Sequence, residues 1–212
     1  IKKKGIKFVT RPSSGAHNIQ GSIPLSLVVT HLLKYARTRK EEKKILNEGK
    51  IMINGKIRNY LLFSLGLMDA ISVPSLHENY RLFYDQKGKF LLLPLTDNEK
   101  DIRIVQIKNK TIITQGKIQL NNSDGSNLVL DKADYHTGDS LVLSFQDGKI
   151  KEHLPLKKDS RIYILGGKKI GIIGTLEDIK ENNIIVKTTQ GNFETAKTYA
   201  YVIGQMNITE EK

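Results

Sequence analysis

Beyond Gly66 the chain is cut every few residues by turn chemistry. Asp85-Gln86-Lys87-Gly88, Asp124-Gly125, Gly138-Asp139, Asp147-Gly148, Gly166-Gly167 and Gln190-Gly191 separate short apolar or alternating runs. Glycine tolerates the positive backbone angles of tight turns, and aspartate folds its carboxylate back onto the main chain. The runs between are too short for ordinary helices and carry the Ile, Val, Tyr and Phe that suit strands. Strands are expected over 68–73, ended by Pro74, and over 79–84, 90–95, 102–107, 111–114, 117–120, 128–130 and 140–145. Thr96-Asp97-Asn98-Glu99 suits a short helical turn. This spacing predicts a compact, mostly antiparallel β domain. A second cluster, with strands over 161–165, 184–188, 193–195 and 199–203, surrounds a glycine-rich turn at 166–174. Its density suggests a small β-barrel.

Residues 23–58 break this pattern. Leu25, Val28, Val29, Leu32 and Ala36 recur at helical spacing. Ser22 suits the N-cap of that helix, and Pro24 its first turn. A second helix opens on Thr38-Arg39-Lys40-Glu41, a capping box in which each side chain satisfies a main-chain N–H at the other residue. Ile45 and Leu46 form its apolar side and Gly49 ends it. Ile51, Ile53 and Ile57 then alternate around Asn54-Gly55, a hairpin signature.

The charge is unevenly spread. The 212 residues hold 34 Lys+Arg against 22 Asp+Glu, a formal net charge of +12. Residues 1–64 carry 14 cations and 3 acids, a net of +11. The rest is close to neutral. Such an imbalance suits a nucleic acid or another anionic surface. Arg37, Arg39, Lys40, Lys43 and Lys44 crowd the start of the second helix, where the helix dipole also favours an anion. Phosphate is the expected partner of this joint. Lys2, Lys3, Lys4, Lys7, Arg11 and His17 form a basic arm over 1–22, which composition reads equally as a nucleic-acid arm or a frayed terminus.

Other chemistry is not supported. Without cysteine there is no disulfide and no thiol ligand. The five histidines are scattered, with no second histidine at metal-ligating spacing, so no metal is expected. No apolar run is long enough to span a bilayer, and the start lacks a signal-peptide core. Gly166 and Gly171 have P-loop spacing, but Ile172 and Ile173 stand where the lysine and hydroxyl are required. Those glycines read instead as a strand bend needing close backbone approach. Lys168 and Lys169 at its tip suit either phosphate contact or a solvated turn. No nucleophile with its base is evident, and Tyr35, Tyr80, Phe83 and Tyr84 read as core residues rather than a stacking platform. The residues alone thus describe a multi-domain RNA- or DNA-binding chain, not an enzyme, with no cofactor and no small-molecule substrate. A basic helix end beside a hairpin favours RNA, whose irregular backbone it fits.

A family resemblance sharpens this. Leu33-Lys34-Tyr35-Ala36 through Lys43-Lys44-Ile45, Gly49 and Ile53-Asn54-Gly55-Lys56-Ile57-Arg58 resembles the RNA-binding domain named after ribosomal protein S-four. Arg11-Pro12-Ser13-Ser14-Gly15-Ala16-His17, Gly66-Leu67-Met68-Asp69-Ala70-Ile71-Ser72, Glu78-Asn79-Tyr80-Arg81-Leu82-Phe83-Tyr84-Asp85, Gly166-Gly167 and Val202-Ile203-Gly204 add a specific order. The whole resembles the eukaryotic/archaeal type of small-subunit ribosomal protein S-four, over about residues 8–204. The resemblance implies an α+β, multi-domain chain. It divides into a basic arm (1–22), a small α/β RNA-binding module (23–66), a mostly β central domain (67–154), a KOW-type β-barrel (155–204) and a tail (205–212). It further implies a cytoplasmic ribosomal protein partnered by small-subunit ribosomal RNA and neighbouring small-subunit proteins. By this match Arg11, His17, Lys34, Lys43, Lys44, Lys56 and Arg58 face RNA. Lys169, Ile172 and Ala196 depart from residues usual in the family, which weakens the case for RNA contact by the barrel. Two other readings use the same modules: an RNA-modifying enzyme, for which the Gly-Arg-Leu-Asp-like motif of pseudouridine synthases is missing, and a KOW-type factor that binds proteins. A fragment 1–64 is expected to keep most of the salt dependence of RNA binding.

Overall fold

The computed structural model describes residues 9–96 and 99–206. The chain divides into two compact units. One runs to Phe83 and adds Lys89–Arg103; the other joins Tyr84–Gly88 to the chain from Ile104.

In the first unit, β1 (Ser22–Pro24) leads into a helical segment, α1 (Leu25–Leu27), that continues as a π-helix over Val28–Leu32. A nine-residue helix, α2 (Arg39–Asn47), follows. The hairpin strands are β2 (Met52–Ile53) and β3 (Lys56–Ile57), and β4 (Ser64–Gly66) pairs antiparallel with β1. Then come β5 (Ala70–Val73), β6 (Glu78–Tyr84) and β7 (Phe90–Pro94). The hairpin is not a separate piece: one sheet runs β3-β2-β5-β6-β7. Asn54 and Gly55 both have positive φ, 49° and 75°, as a tight hairpin turn requires. Ile23, Leu25, Val28, Leu46, Ile51, Ile53, Leu65, Ile71 and Leu82 make the core between helices and sheet. Arg81 is wholly buried, and its Nη2 donates to the carbonyls of Glu99 and Ile102.

The first helix differs from the sequence expectation. Ser22 is a strand residue, and Pro24 precedes the helix in extended conformation. The reason is β4 and the turn before it. The N–H groups of Leu25 and Ser26 donate to the carbonyls of Phe63 and Leu61, so a Ser22 cap has no orphan donors to satisfy. The helix also stops early. The N–H of Leu33 donates to the carbonyl of Val28, five residues back, and Lys34 turns left-handed at φ 60°. Ala36 is buried, but outside the helix.

The second unit holds two five-stranded sheets. The first uses β8 (Ile102–Ile112), β9 (Ile118–Asn122), β10 (Asn127–Leu130), β11 (Ser140–Ser144) and β12 (Ile150–Leu154), in the order β10-β9-β8-β11-β12. The runs expected at 102–107 and 111–114 are thus one long strand, and β12 was not expected. The second uses β13 (Arg161–Ile164), β14 (Ile173–Lys180), β15 (Asn183–Thr188), β16 (Gly191–Ala196) and β17 (Ala200–Val202), in the order β16-β15-β14-β13-β17. Gln106 and Tyr201 tie the sheets together. The Gln106 amide donates to the Ala200 carbonyl at 2.6 Å, and the Tyr201 hydroxyl to the Ile104 carbonyl at 2.8 Å. The sheet β3-β2-β5-β6-β7 joins residues on both sides of position 66, and the buried Gln106 and Tyr201 hydrogen bonds join residues on both sides of position 154.

The glycine-rich turn is a close-approach device. A Cβ on Gly171 would lie 2.7 Å from the Asp85 backbone, and one on Gly174 2.7 Å from the Lys187 carbonyl oxygen. Only glycine lets these segments touch.

Candidate nucleic-acid interface

The cationic surface of the first unit is built on α2. Glu42 and Leu46 turn inward, which fixes the rest of the helix by its period. Arg39, Lys43 and Asn47 flank the buried row one turn apart, and Lys40 and Lys44 form the next row outward. All four cations are exposed. The capping box is complete. Thr38 Oγ1 accepts from the Glu41 N–H, and the Glu41 carboxylate accepts from the N–H groups of Arg37 and Thr38. Those two donors hold the Glu41 carboxyl below its ordinary range. The helix start thus already carries an anion. Attraction for phosphate falls to the side chains, not to the helix end.

A groove of about 420 Å³ runs beside this face, lined by Arg39, Lys43, Asn47, Asn59, Tyr60, Leu61 and Leu62. Its far wall is firmly held. The Leu62 carbonyl accepts from the N–H and hydroxyl of Ser13, the Leu61 carbonyl from the Ser26 N–H, and the Tyr60 carbonyl from the Phe63 N–H. Tyr60 itself is 52% exposed. It escaped sequence reasoning because it opens an apolar run. The signal was its place in Arg58-Asn59-Tyr60, directly after the hairpin.

The other expected site residues fall in different places. Arg11, Lys34, Arg37 and Lys56 are exposed in the first unit. Lys34 is set by its left-handed turn and by Tyr35, whose hydroxyl donates to the Glu78 carboxylate, as does that of Tyr80. Burial, then Glu78, raises both tyrosine pKa values. Arg58 is half-buried, its guanidinium 4.7 Å from the centre of the Phe63 ring. Lys168 and Lys169 are exposed in the second unit, Lys169 standing 5.6 Å over the Phe193 ring. Lys3, Lys4 and Lys7 lie outside the described residues.

His17 is bonded into the scaffold. Its Nε2 is 2.9 Å from Asp69 Oδ2, and its side chain is 11% exposed. Asp69 also accepts from the Gly66 N–H at 2.8 Å and from the Asn54 amide at 2.7 Å, while Asn54 Oδ1 accepts from the Ala70 N–H. This latch joins the segment before β1 to the hairpin turn and to β5. His17 therefore holds the scaffold through a partner 52 residues away in sequence.

Among the described residues, no group of three or more His, Cys, Asp or Glu side chains is gathered to hold a metal ion, and no helix is long and apolar enough to cross a membrane. What the first unit offers is a rigid, cationic, partly aromatic surface suited to polyanions.

Known proteins match this chain over nearly its whole length. A family model described as ribosomal family S4e matches residues 76–150. The chain is 38% identical over 218 residues to the small ribosomal subunit protein eS4 of Methanocaldococcus jannaschii, covering 96% of this chain and 88% of that protein. It is 38% identical over 211 residues to the protein of the same name from Methanocella arvoryzae, covering 97% and 89%. The crystal structure of the 30S ribosomal protein S4e from Thermoplasma acidophilum is similar with a TM-score of 0.75 and 28% identity, over 87% of this chain and 95% of that one.

Proposed function

Because the chain belongs to the S4e family of small ribosomal subunit proteins, we propose that it is a structural, non-catalytic component of the small ribosomal subunit that binds ribosomal RNA and supports subunit assembly. The observation that carries this reading is the exposed cationic face of α2, in a chain whose first 64 residues hold a net charge of +11. Binding runs chiefly through backbone phosphates and shape. Arg11, Lys34, Arg37, Arg39, Lys40, Lys43, Lys44 and Lys56 supply the contacts; Lys3, Lys4 and Lys7 extend them along the arm. Arg58 acts from its half-buried seat at the edge.

In functional terms the RNA-binding module is residues 23–66, the central domain 67–154, and the last sheet a KOW-type barrel over 155–204. Its Lys168 and Lys169 contribute secondary phosphate contacts. The place of action is the cytoplasmic ribosome, beside neighbouring small-subunit proteins. Gradient sedimentation of cell extract tests the reading. The protein should travel with small subunits and stay with them in high salt. Recovery only at the top of the gradient, with free factors, would refute it.

A further inference from the structure

The groove beside α2 holds more than phosphate chemistry. We infer that it is a pocket for a single unstacked nucleotide of the bound RNA: Tyr60 stacks on the base, Arg39 and Lys43 hold its phosphate, and Asn47 and Asn59 read its edge. This rests on the RNA-binding reading above and assigns it a specific subsite.

Three observations converge. The first is size: about 420 Å³ lies within the range of small-ligand pockets. The second is the distribution of chemistry. One wall carries Arg39 and Lys43 one turn apart, and the other carries Tyr60, a residue left 52% exposed. Among the described residues, neither cation nor the Tyr60 hydroxyl has a hydrogen-bond or ion-pair partner. A ring beside two unpaired cations suits a base joined to its phosphate. An acidic peptide would use the cations and leave the ring idle. The third is pre-organisation. Tyr60 sits in a turn closed by the Phe63 N–H on its carbonyl, and the next two carbonyls, of Leu61 and Leu62, are bonded to Ser26 and Ser13, so little main-chain freedom is lost when the ring is covered. Asn47 and Asn59 each offer a donor pair and an acceptor, which match the exposed edges of an unpaired base. Regular duplex RNA keeps its bases stacked and offers nothing to Tyr60. The pocket therefore selects loops and bulges.

The test uses the full chain and in vitro transcribed small-subunit ribosomal RNA of the source organism, sparsely substituted with 4-thiouridine. Near-ultraviolet irradiation and mass spectrometry should place a crosslink within residues 59–62. Tyr60→Leu should keep the thermal unfolding midpoint yet weaken binding about 10- to 100-fold, the range of one base–aromatic stack, without changing the salt slope. Tyr60→Phe should bind like the wild type. A Tyr60→Leu affinity equal to wild type, with no crosslink in 59–62, would overturn the pocket while leaving salt-dependent binding, and so the parent reading, intact. Failure of the wild-type chain to bind the RNA at all would instead overturn both. A Tyr60→Leu defect confined to assembly of a neighbouring protein, at unchanged RNA affinity, would make this a protein contact and also refute the pocket.

Discussion

Replacing Asp69 with alanine should loosen the first unit and leave the second untouched. Asp69 is 4% exposed and receives three hydrogen bonds. Its loss strands the Gly66 N–H in a buried site, at a cost of about 1–3 kcal/mol. The Asn54 amide is only half-buried and regains some water, so its share is about 1 kcal/mol, and His17 adds about as much. The total is about 3–5 kcal/mol, a large part of the 5–15 kcal/mol typical of a domain. Asp69→Asn keeps one acceptor oxygen and should cost less. Urea unfolding monitored by hydrogen exchange reads both the size and the place of the effect. Peptides covering β2, β5 and the segment around His17 should lose protection, while those covering β13–β17 keep theirs. A loss below about 1 kcal/mol, or an equal loss in both units, would show that the latch does not hold the scaffold as argued.

Two further substitutions probe close packing and acid sensitivity. A Cβ on Gly66 would lie 2.2 Å from the His17 ring, so Gly66→Ala should cost about 1–3 kcal/mol in chemical unfolding. Most of that cost should vanish in a His17→Ala background; an undiminished cost there would put the clash elsewhere. In the second unit, burial would raise the Asp139 carboxyl, but hydrogen bonds from the Leu156 and His136 N–H groups and the His153 ring outweigh it and hold it low. A folded value below the unfolded one, near 3.9, means its stabilisation is fully present above about pH 4 and is lost as pH falls through the folded value. Thermal melts between about pH 5 and pH 2 should show that loss in the wild type. A smaller acid-dependent loss is expected in Asp139→Asn; identical slopes would refute the assignment.

Local chemistry was legible in the sequence and long-range pairing was not. The capping box at Thr38 and Glu41 and the Asn54-Gly55 turn need only neighbours within a few residues, and both stand where expected. Ser22 and Pro24 carry equally good helix-start signals. They were overruled because the turn at 61–63 supplies the acceptors from 37 residues or so away in sequence. β14 was hidden by its glycines: Gly174 reads as turn chemistry but lies in a strand, where it admits the side chain of Val186. At the candidate interface, the helical period of α2 was enough to expect its cations on the surface, where they stand, but the contact of His17 with Asp69, 52 residues away, had no local signal. Residue type also passed over Tyr60, whose exposure only the folded chain reveals.

If the proposed function holds, α2 should carry the main electrostatic contact with ribosomal RNA. Because the sheet runs from β2 into β5, a fragment ending at residue 64 would be cut through its own fold, so the claim is best tested in the full chain. The salt dependence of RNA affinity should be measured for wild type, for Arg39→Ala/Lys40→Ala/Lys43→Ala/Lys44→Ala, and for Lys168→Ala/Lys169→Ala. Each lost phosphate contact lowers the slope of log affinity against log salt by about 0.7–0.9. The slope should drop by about 3 in the α2 variant and by at most about 1.8 in the second. An unchanged slope in the α2 variant, or a larger drop on removing Lys168 and Lys169, would contradict the claim.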